Sequence, residues 1–266
     1  MQEEIKERVL VIGLGEIGRP LFEILSEKFE DVQGLDKNQD VQIKLPIDVM
    51  HVCIPGDLEN FSEIVLGYNE KYNPRLTIIH STVQIGTTEK IDKNIRGYCV
   101  HSPVRGKHYQ MKKDLLLYTK YIGANEIDAG EMAYKHLSKA RFKTEIMTSS
   151  RITEYMKIAE TTYFAVLLAH AQEVKRNCDK LDISYDKAIK IFSEIKYLPK
   201  VKILSSYIGG HCLIPNVILL KKFKKSFLTD FILKSNDKWA KENNIDKEKE
   251  KDIKTRTIIK PKEIDT

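Results

Sequence analysis

The 266-residue chain has little that would commit it to a specialised class. No apolar run approaches the roughly 18 residues of a membrane span, so no membrane partner is expected. The four cysteines, Cys53, Cys99, Cys178 and Cys212, form no Cys-x-x-Cys pair. That spacing argues against zinc or any other metal and for a reducing, cytoplasmic setting. Cys53 and Cys99 fall within or at the end of apolar strands, where core thiols belong. Lys and Arg number 44 against 38 Asp and Glu, a dispersed surplus too small to expect nucleic acid. It suits a small anionic substrate instead. No internal repeat is visible. The N-terminus runs from charged residues straight into a strand, so no secretory leader is expected.

What is present is ordinary globular material. Hydrophobic residues make up 42% and charged residues 31%, enough for one large core or two modest ones. Val9-Leu-Val-Ile12 reads as a buried parallel strand ending at a glycine turn, followed by a helix over 17–29. Further strands are expected at Val32–Asp36, Ile47–Ile54, Leu76–His80, Gly97–Val100, Leu115–Ile122 and Arg141–Ile146, with helices near 57–71, 86–94 and 127–139. Such alternation predicts an α/β fold with a Rossmann, doubly wound sheet. From Arg151 apolar residues recur at helical spacing for some thirty positions, predicting a long helix that founds a second, α-helical domain. A shorter helix is expected at 184–194, and apolar periodicity resumes over Val217–Leu233. The expected domains are 1–148, cofactor-binding; 149–235, helical and dimerising; and 236–266, a charged solvated helix or tail.

Gly13-Leu-Gly15-Glu16-Ile17-Gly18 lies between the first strand and the first helix. The first glycine makes the tight turn, the second admits a pyrophosphate, and the third lets helix and strand pack closely. Asp36, ending the second strand, would bind the adenosine ribose and repel a 2′-phosphate, favouring NAD over NADP. Pro55, Ser81 and Thr82 stand at the carboxyl ends of later strands, where ligands dock in such sheets.

These motifs, with Glu154-Tyr-Met-Lys157-Ile-Ala-Glu-Thr161-Thr-Tyr163 and Gly209-Gly210-His211-Cys212, resemble the UDP-glucose/GDP-mannose dehydrogenase family, including its UDP-N-acetylmannosamine branch. The resemblance covers residues 8–220, and His80-Ser-Thr-Val-Gln-Ile-Gly-Thr-Thr88 is part of it. Gly-Gly-x-Cys is its most specific piece. The resemblance implies oxidation of a sugar alcohol to a carboxylate with two NAD and a cysteine thiohemiacetal. Cys212 would be the nucleophile, and Lys157 would stabilise oxyanion charge or move protons. Thr82 would hold water or substrate, and His211 or Lys157 would supply the field that favours a thiolate. Cys212 and Lys157 are expected to converge at the nicotinamide. Arg105 and Lys107, in His101-Ser-Pro-Val104-Arg-Gly-Lys-His108, are candidate substrate-anion contacts, as are the backbones of Gly209 and Gly210.

The chain departs from the family at three positions. Thr161 replaces the asparagine four residues after the lysine, Asn216 replaces the aspartate four residues after the cysteine, and Val104 replaces a water-activating glutamate. Two carboxylates are thereby missing, and neither an amide nor a valine takes a proton at neutral pH. His101 is a candidate replacement base. The family's C-terminal nucleotide-sugar domain is not recognised, so the chain reads as truncated. The leading expectation is an NAD-dependent oxidoreductase acting on an anionic, nucleotide-sugar-like alcohol, as a homodimer through the long helix. Two others compete. One is a two-electron dehydrogenase of the 6-phosphogluconate or β-hydroxyacid type using Lys157. The other is a non-catalytic NAD-binding protein.

Overall fold

The computed structural model describes residues 7–37, 41–196, 201–203, 205–246 and 259–261. The chain divides into two compact units, Met1–Lys157 and Ile158–Thr266.

Unit 1 is built on a seven-stranded sheet. Its strands are β1 (Arg8–Ile12), β2 (Asp31–Leu35), β3 (Val49–Val52), β4 (Leu76–Ile79), β5 (Tyr98–His101), β6 (Lys120–Gly123) and β7 (Thr144–Met147). Their spatial order is β2-β1-β3-β4-β5-β6-β7. Every neighbouring pair is parallel except β5 and β6, so the expected doubly wound sheet is present. Helices α1 (Gly18–Ser26), α2 (Phe61–Tyr72), α3 (Thr87–Asp92), α4 (Met111–Leu117) and α5 (Ile127–Lys139) connect the strands. Central strands are covered on both faces, which is why β1, β3 and β4 read as apolar runs rather than alternations. Side chains still alternate between two cores. Val9 and Val11 join Leu21, Leu25 and Leu137 in one, while Leu10 and Ile12 join Met50, Phe61 and Ile91 in the other.

One expected strand is corrected. Leu115–Ile122 is not a single strand: Leu115–Leu117 close α4, Tyr118 leaves it with extended backbone, and the sheet resumes at Lys120. A short apolar run fits either periodicity. Here buried Met111, Asp114 and Leu115 share one helix side, and the Asp114 carboxylate accepts the Lys107 backbone N–H at 2.8 Å.

Helix α6 (Ser150–Lys180) is 31 residues, about 46 Å at 1.5 Å per residue. Its first turn packs on unit 1 because position 123 is glycine. A Cβ there would fall 2.2 Å from Thr153 Oγ1.

Unit 2 continues α6 and adds α7 (Tyr185–Ala188), α8 (Leu213–Phe223) and α9 (Phe227–Glu242). Between α7 and α8, β8 (Val201–Ile203) pairs antiparallel with β9 (Ile259–Pro261). Ala165, Leu168, Ala169, Ile208, Leu213, Val217 and Ile232 form its core. Helix α9 passes through position 236 without exposing all of it, since Asn236, Trp239 and Ala240 are buried. Residues 247–258 and 262–266 of the expected charged tail lie outside the described residues.

Candidate functional site

The glycine loop of unit 1 is shaped by backbone alone. Gly13 has φ 86° and donates its N–H to the Leu35 carbonyl at 2.8 Å. A Cβ on Gly18 would stand 1.7 Å from the Gly13 oxygen, so α1 starts against β1 only because residue 18 has no side chain. Gly15 differs: a Cβ there would meet no protein atom within 4 Å. Its smallness serves no contact within the chain, and the cradle it leaves beside the α1 amino end fits a pyrophosphate. Glu16 is exposed and Ile17 half-buried in the turn between them. Asp36 is the residue after β2, its carboxylate accepting the Lys37 N–H at 2.9 Å.

Two further loops meet the same carboxyl edge. The Ser81 hydroxyl donates to the Ile54 carbonyl at 2.5 Å, and a Cβ on Gly56 would lie 2.0 Å from the Thr82 oxygen. Pro55, Ser81 and Thr82 are thus drawn together, with Ser81 buried and acting as a tie. Buried Glu154 on α6 holds the segment after Thr82. Its carboxylate accepts the Gly86 N–H at 2.6 Å and the Thr88 N–H at 2.9 Å, capping α3, whose own N-cap is glycine. Burial raises the Glu154 pKa despite those bonds. The sequence reading placed Glu154 within a motif and missed this role, because its partners lie more than sixty residues away.

His101 does not serve as the missing base. It is fully buried, its Nε2 donates to the Ser81 carbonyl at 3.0 Å, and its Nδ1 faces Thr153 Oγ1 at 2.9 Å. Burial pulls its pKa down to about 3. It is a strut between β5, α6 and the Ser81 loop. Val104 is buried in the core of unit 1. The Arg105 guanidinium donates to the Thr119 carbonyl at 2.6 Å and lies over Tyr118 and Tyr121, whereas Lys107 is exposed beside Tyr109. Lys157, half-buried, ends unit 1 on α6.

In unit 2 the glycine-cysteine loop is presented at a helix start. Gly210 has φ 73°, His211 is exposed, and half-buried Cys212 is the N-cap of α8. The loop is clamped by amides absent from the motif. Asn236 Oδ1 accepts the Ile208 N–H at 2.8 Å while its Nδ2 donates to the Ile208 carbonyl at 3.1 Å. Gln172 Nε2 donates to the Ser206 carbonyl at 2.7 Å and to Asn236 Oδ1 at 3.1 Å. Two of the three departures also meet: Asn216 Nδ2 donates to Thr161 Oγ1 at 3.1 Å, both residues buried. The substitutions form one neutral pair.

No family model matches the chain. It is 28% identical over 257 residues to the UDP-N-acetyl-D-mannosamine dehydrogenase of Methanococcus maripaludis, covering 78% of this chain and 59% of that protein. The chain thus spans about three-fifths of the length of that relative. Among solved structures, the UDP-D-ManNAc dehydrogenase of Pyrococcus horikoshii superimposes with a TM-score of 0.74 at 22% identity, covering 90% of this chain and 72% of that one. The 3-hydroxyisobutyrate dehydrogenase of Mycobacterium tuberculosis gives 0.67 at 15% identity, covering 90% of this chain and 94% of that one. Among the described residues no helix is long and apolar enough to cross a membrane.

Proposed function

Starting from a chain that is a divergent member of the UDP-glucose/GDP-mannose dehydrogenase family, we propose that it oxidises an alcohol on a nucleotide sugar with NAD as hydride acceptor. The observation that carries this reading is the asymmetry of the glycine loop. Gly18 is required by the fold, and Gly15 is spent on nothing inside it. When bound, NAD would supply the hydride acceptor. Gly13, Gly15, Glu16, Ile17 and Gly18 would cradle its pyrophosphate at the α1 amino end. Asp36 would take the ribose hydroxyls, and Pro55, Ser81 and Thr82 would line the edge beyond. Arg105, Lys107 and the Gly209 and Gly210 backbones would contact the anionic substrate.

Cys212 is the proposed nucleophile. It stands at the amino end of the 11-residue α8, where backbone N–H groups face an incoming carbonyl oxygen. Exposed His211 adds a titratable neighbour, and Lys157 is proposed to steady oxyanion charge. Thr161 and Asn216 hold each other, so neither is free to activate water as the family's carboxylate would. A thioester on Cys212 would therefore hydrolyse slowly. That neutral pair favours a second reading, a two-electron oxidation in which Lys157 moves the proton and Cys212 stays idle. The extended reading includes a homodimer through α6, where Ile152, Tyr155 and Tyr163 are exposed.

NADH yield per substrate, with intact-protein mass spectrometry, separates these readings. We expect one NADH per nucleotide sugar or a persistent acyl adduct on Cys212. Two NADH at ordinary turnover would show that water is activated elsewhere. No NADH from a nucleotide-sugar or hydroxyacid panel, despite NAD binding, would leave a non-catalytic NAD-binding protein.

A further inference from the structure

A file of polar side chains runs through the sheet of unit 1 and touches the quoted motifs only at His80. His51 stands mid-strand in β3 and is fully buried. Its Nδ1 is 2.8 Å from His80 Nε2, and its Nε2 is 2.9 Å from His136 Nε2 on α5. His136 Nδ1 reaches Glu7 Oε2 at 3.1 Å, where the carboxylate is 31% exposed. At the other end, His80 Nδ1 is 2.7 Å from the Ser102 carbonyl and 3.0 Å from Lys120 Nζ, which also donates to Ser102 at 2.7 Å. His80, His136 and Lys120 are all buried. The three rings stand in file and do not converge on a centre.

The two ends of the file lie at opposite edges of the sheet. Glu7 precedes β1, at the amino edge. His80 and Ser102 follow β4 and β5, and Lys120 opens antiparallel β6, so all three stand at the carboxyl edge where ligands dock in such sheets. We propose that Glu7, His136, His51, His80 and Lys120 form a proton-conducting file through the sheet, exchanging the Lys120 proton with water at Glu7.

The proton count supports it. With Lys120 as ammonium and Glu7 as carboxylate, neutral rings satisfy the four links of the file, and only the 2.7 Å contact of His80 Nδ1 with the Ser102 carbonyl is left without a proton. Lys120 donates to His80 Nδ1, His80 Nε2–H to His51 Nδ1, His51 Nε2–H to His136 Nε2, and His136 Nδ1–H to Glu7. Moving each proton one place along leaves Lys120 an amine and Glu7 a carboxylic acid. His80 Nδ1–H then donates to Ser102, and in this arrangement that contact is satisfied as well. Four N–H bonds break, while three N–H bonds and one O–H bond form, and no co-reactant is needed. Glu7 swaps its proton with water and the shift runs back.

The charged surroundings suit the exchange. Burial brings Lys120 down to about 7, with Arg105 lowering it and Cys53 opposing. Burial holds His51 and His80 well below the usual histidine range, with Lys120, His136 and, beside His80, His101 adding to the effect. Glu7 is held below the usual carboxylate range by His136 first, then by Lys139 and Arg75. If alcohol oxidation proceeds at the carboxyl edge, each hydride passed to NAD leaves one proton, and the file gives it a path. That use rests on the proposed activity; the file does not.

Nitrogen-15 NMR of histidine-labelled protein, without NAD or substrate, tests it. We expect one concerted pattern, either Nε2–H at His51 and His80 with Nδ1–H at His136, or Nδ1–H at His51 and His80 with Nε2–H at His136. Any other pattern at neutral pH overturns the file. Glu7→Gln, at a half-exposed position, removes the terminal proton acceptor. It should slow exchange of the His80 ring N–H with water by about a hundredfold, the low end for a positioned proton-transfer group. His51→Phe should do the same by breaking the middle. Unchanged exchange in folded Glu7→Gln overturns the proposal even if His51→Phe fails to fold. The expected tautomers and slowing, in a protein that reduces no NAD, would sink the dehydrogenase reading alone.

Discussion

The two glycine loops of this chain are built in opposite ways. Gly13–Gly18 in unit 1 is held by its own backbone, with Gly18 against the Gly13 carbonyl and Gly13 bonded to Leu35. The loop around Gly209 and Gly210 in unit 2 is held from outside, by Gln172 and Asn236. A loop shaped by close backbone approach announces itself through glycine. A loop held by distant amides leaves no local mark. The units also differ in what they bury. Unit 1 carries His51, His80 and His101 in its interior, while His170 and His211 in unit 2 are exposed.

That difference gives the largest predicted effect. Burial lowers the folded pKa of His51 and His80 well below 6.5 and that of His101 to about 3. In the unfolded chain they protonate near 6.5, so the unfolded state binds more protons below that pH. Stability is complete above about 6.5 and falls as pH drops toward the folded values, by up to about 1.4 kcal/mol per pH unit per histidine. Unit 1 should therefore melt first on acidification. Trp239, the single tryptophan, is buried in unit 2. Its fluorescence should hold at pH 5.5 in urea concentrations where far-UV circular dichroism already shows loss. Coincident transitions at every pH would remove the contrast.

Within unit 1, Gly18→Ala places a methyl 1.7 Å from a backbone oxygen that cannot yield cheaply. We expect a loss of about 3 kcal/mol, the upper range for overpacking. Gly15→Ala meets nothing within 4 Å and should stay within about 0.5 kcal/mol of the parent in urea unfolding. Equal losses would deny the division of labour between the two glycines.

The same contrast explains what was legible. Strand and helix alternation through Lys139 could be read because buried parallel strands are short apolar runs and α1 shows one apolar face. Leu115–Leu117 misled because three leucines carry no period. The Gly13 turn and the close approach at Gly18 were visible, since these two glycines have a local steric reason. Three facts were not: that His101 is a strut, that Glu154 caps α3, and that Thr161 and Asn216 pair. Each depends on which groups meet across 20 to 68 positions, and nothing in residue type fixes that. Asn236 sits in a stretch whose interleaved charges suggest solvent, yet its helix buries one side.

Asn236→Ala tests the external clamp. It leaves the buried Ile208 N–H without its acceptor and the Ile208 carbonyl without its donor. At about 1–3 kcal/mol for an unmet buried group, with partial relaxation, unit 2 should lose about 2–3 kcal/mol. Trp239 fluorescence should shift its urea midpoint. No shift would mean that the glycine-cysteine loop holds itself, as its counterpart in unit 1 does.

The smallest expected effect asks whether the unit 1 loop serves a ligand. Asp36 follows β2 and bonds only its neighbour's N–H among its described contacts, so Asp36→Ala should leave unfolding within about 0.5 kcal/mol of the parent. Under the proposed function it removes the acceptor of the ribose hydroxyls. NAD binding should then weaken by about 1–2 kcal/mol, the scale of a charge-assisted hydrogen bond, while binding of NADP gains from the lost repulsion. Calorimetry on both proteins with both dinucleotides reads each change separately. Tighter NADP than NAD binding by the parent would overturn the assignment of Asp36. Unaltered NAD affinity in both Asp36→Ala and Gly15→Ala would leave the loop with no ligand role, its glycines then differing only in what the fold asks of them.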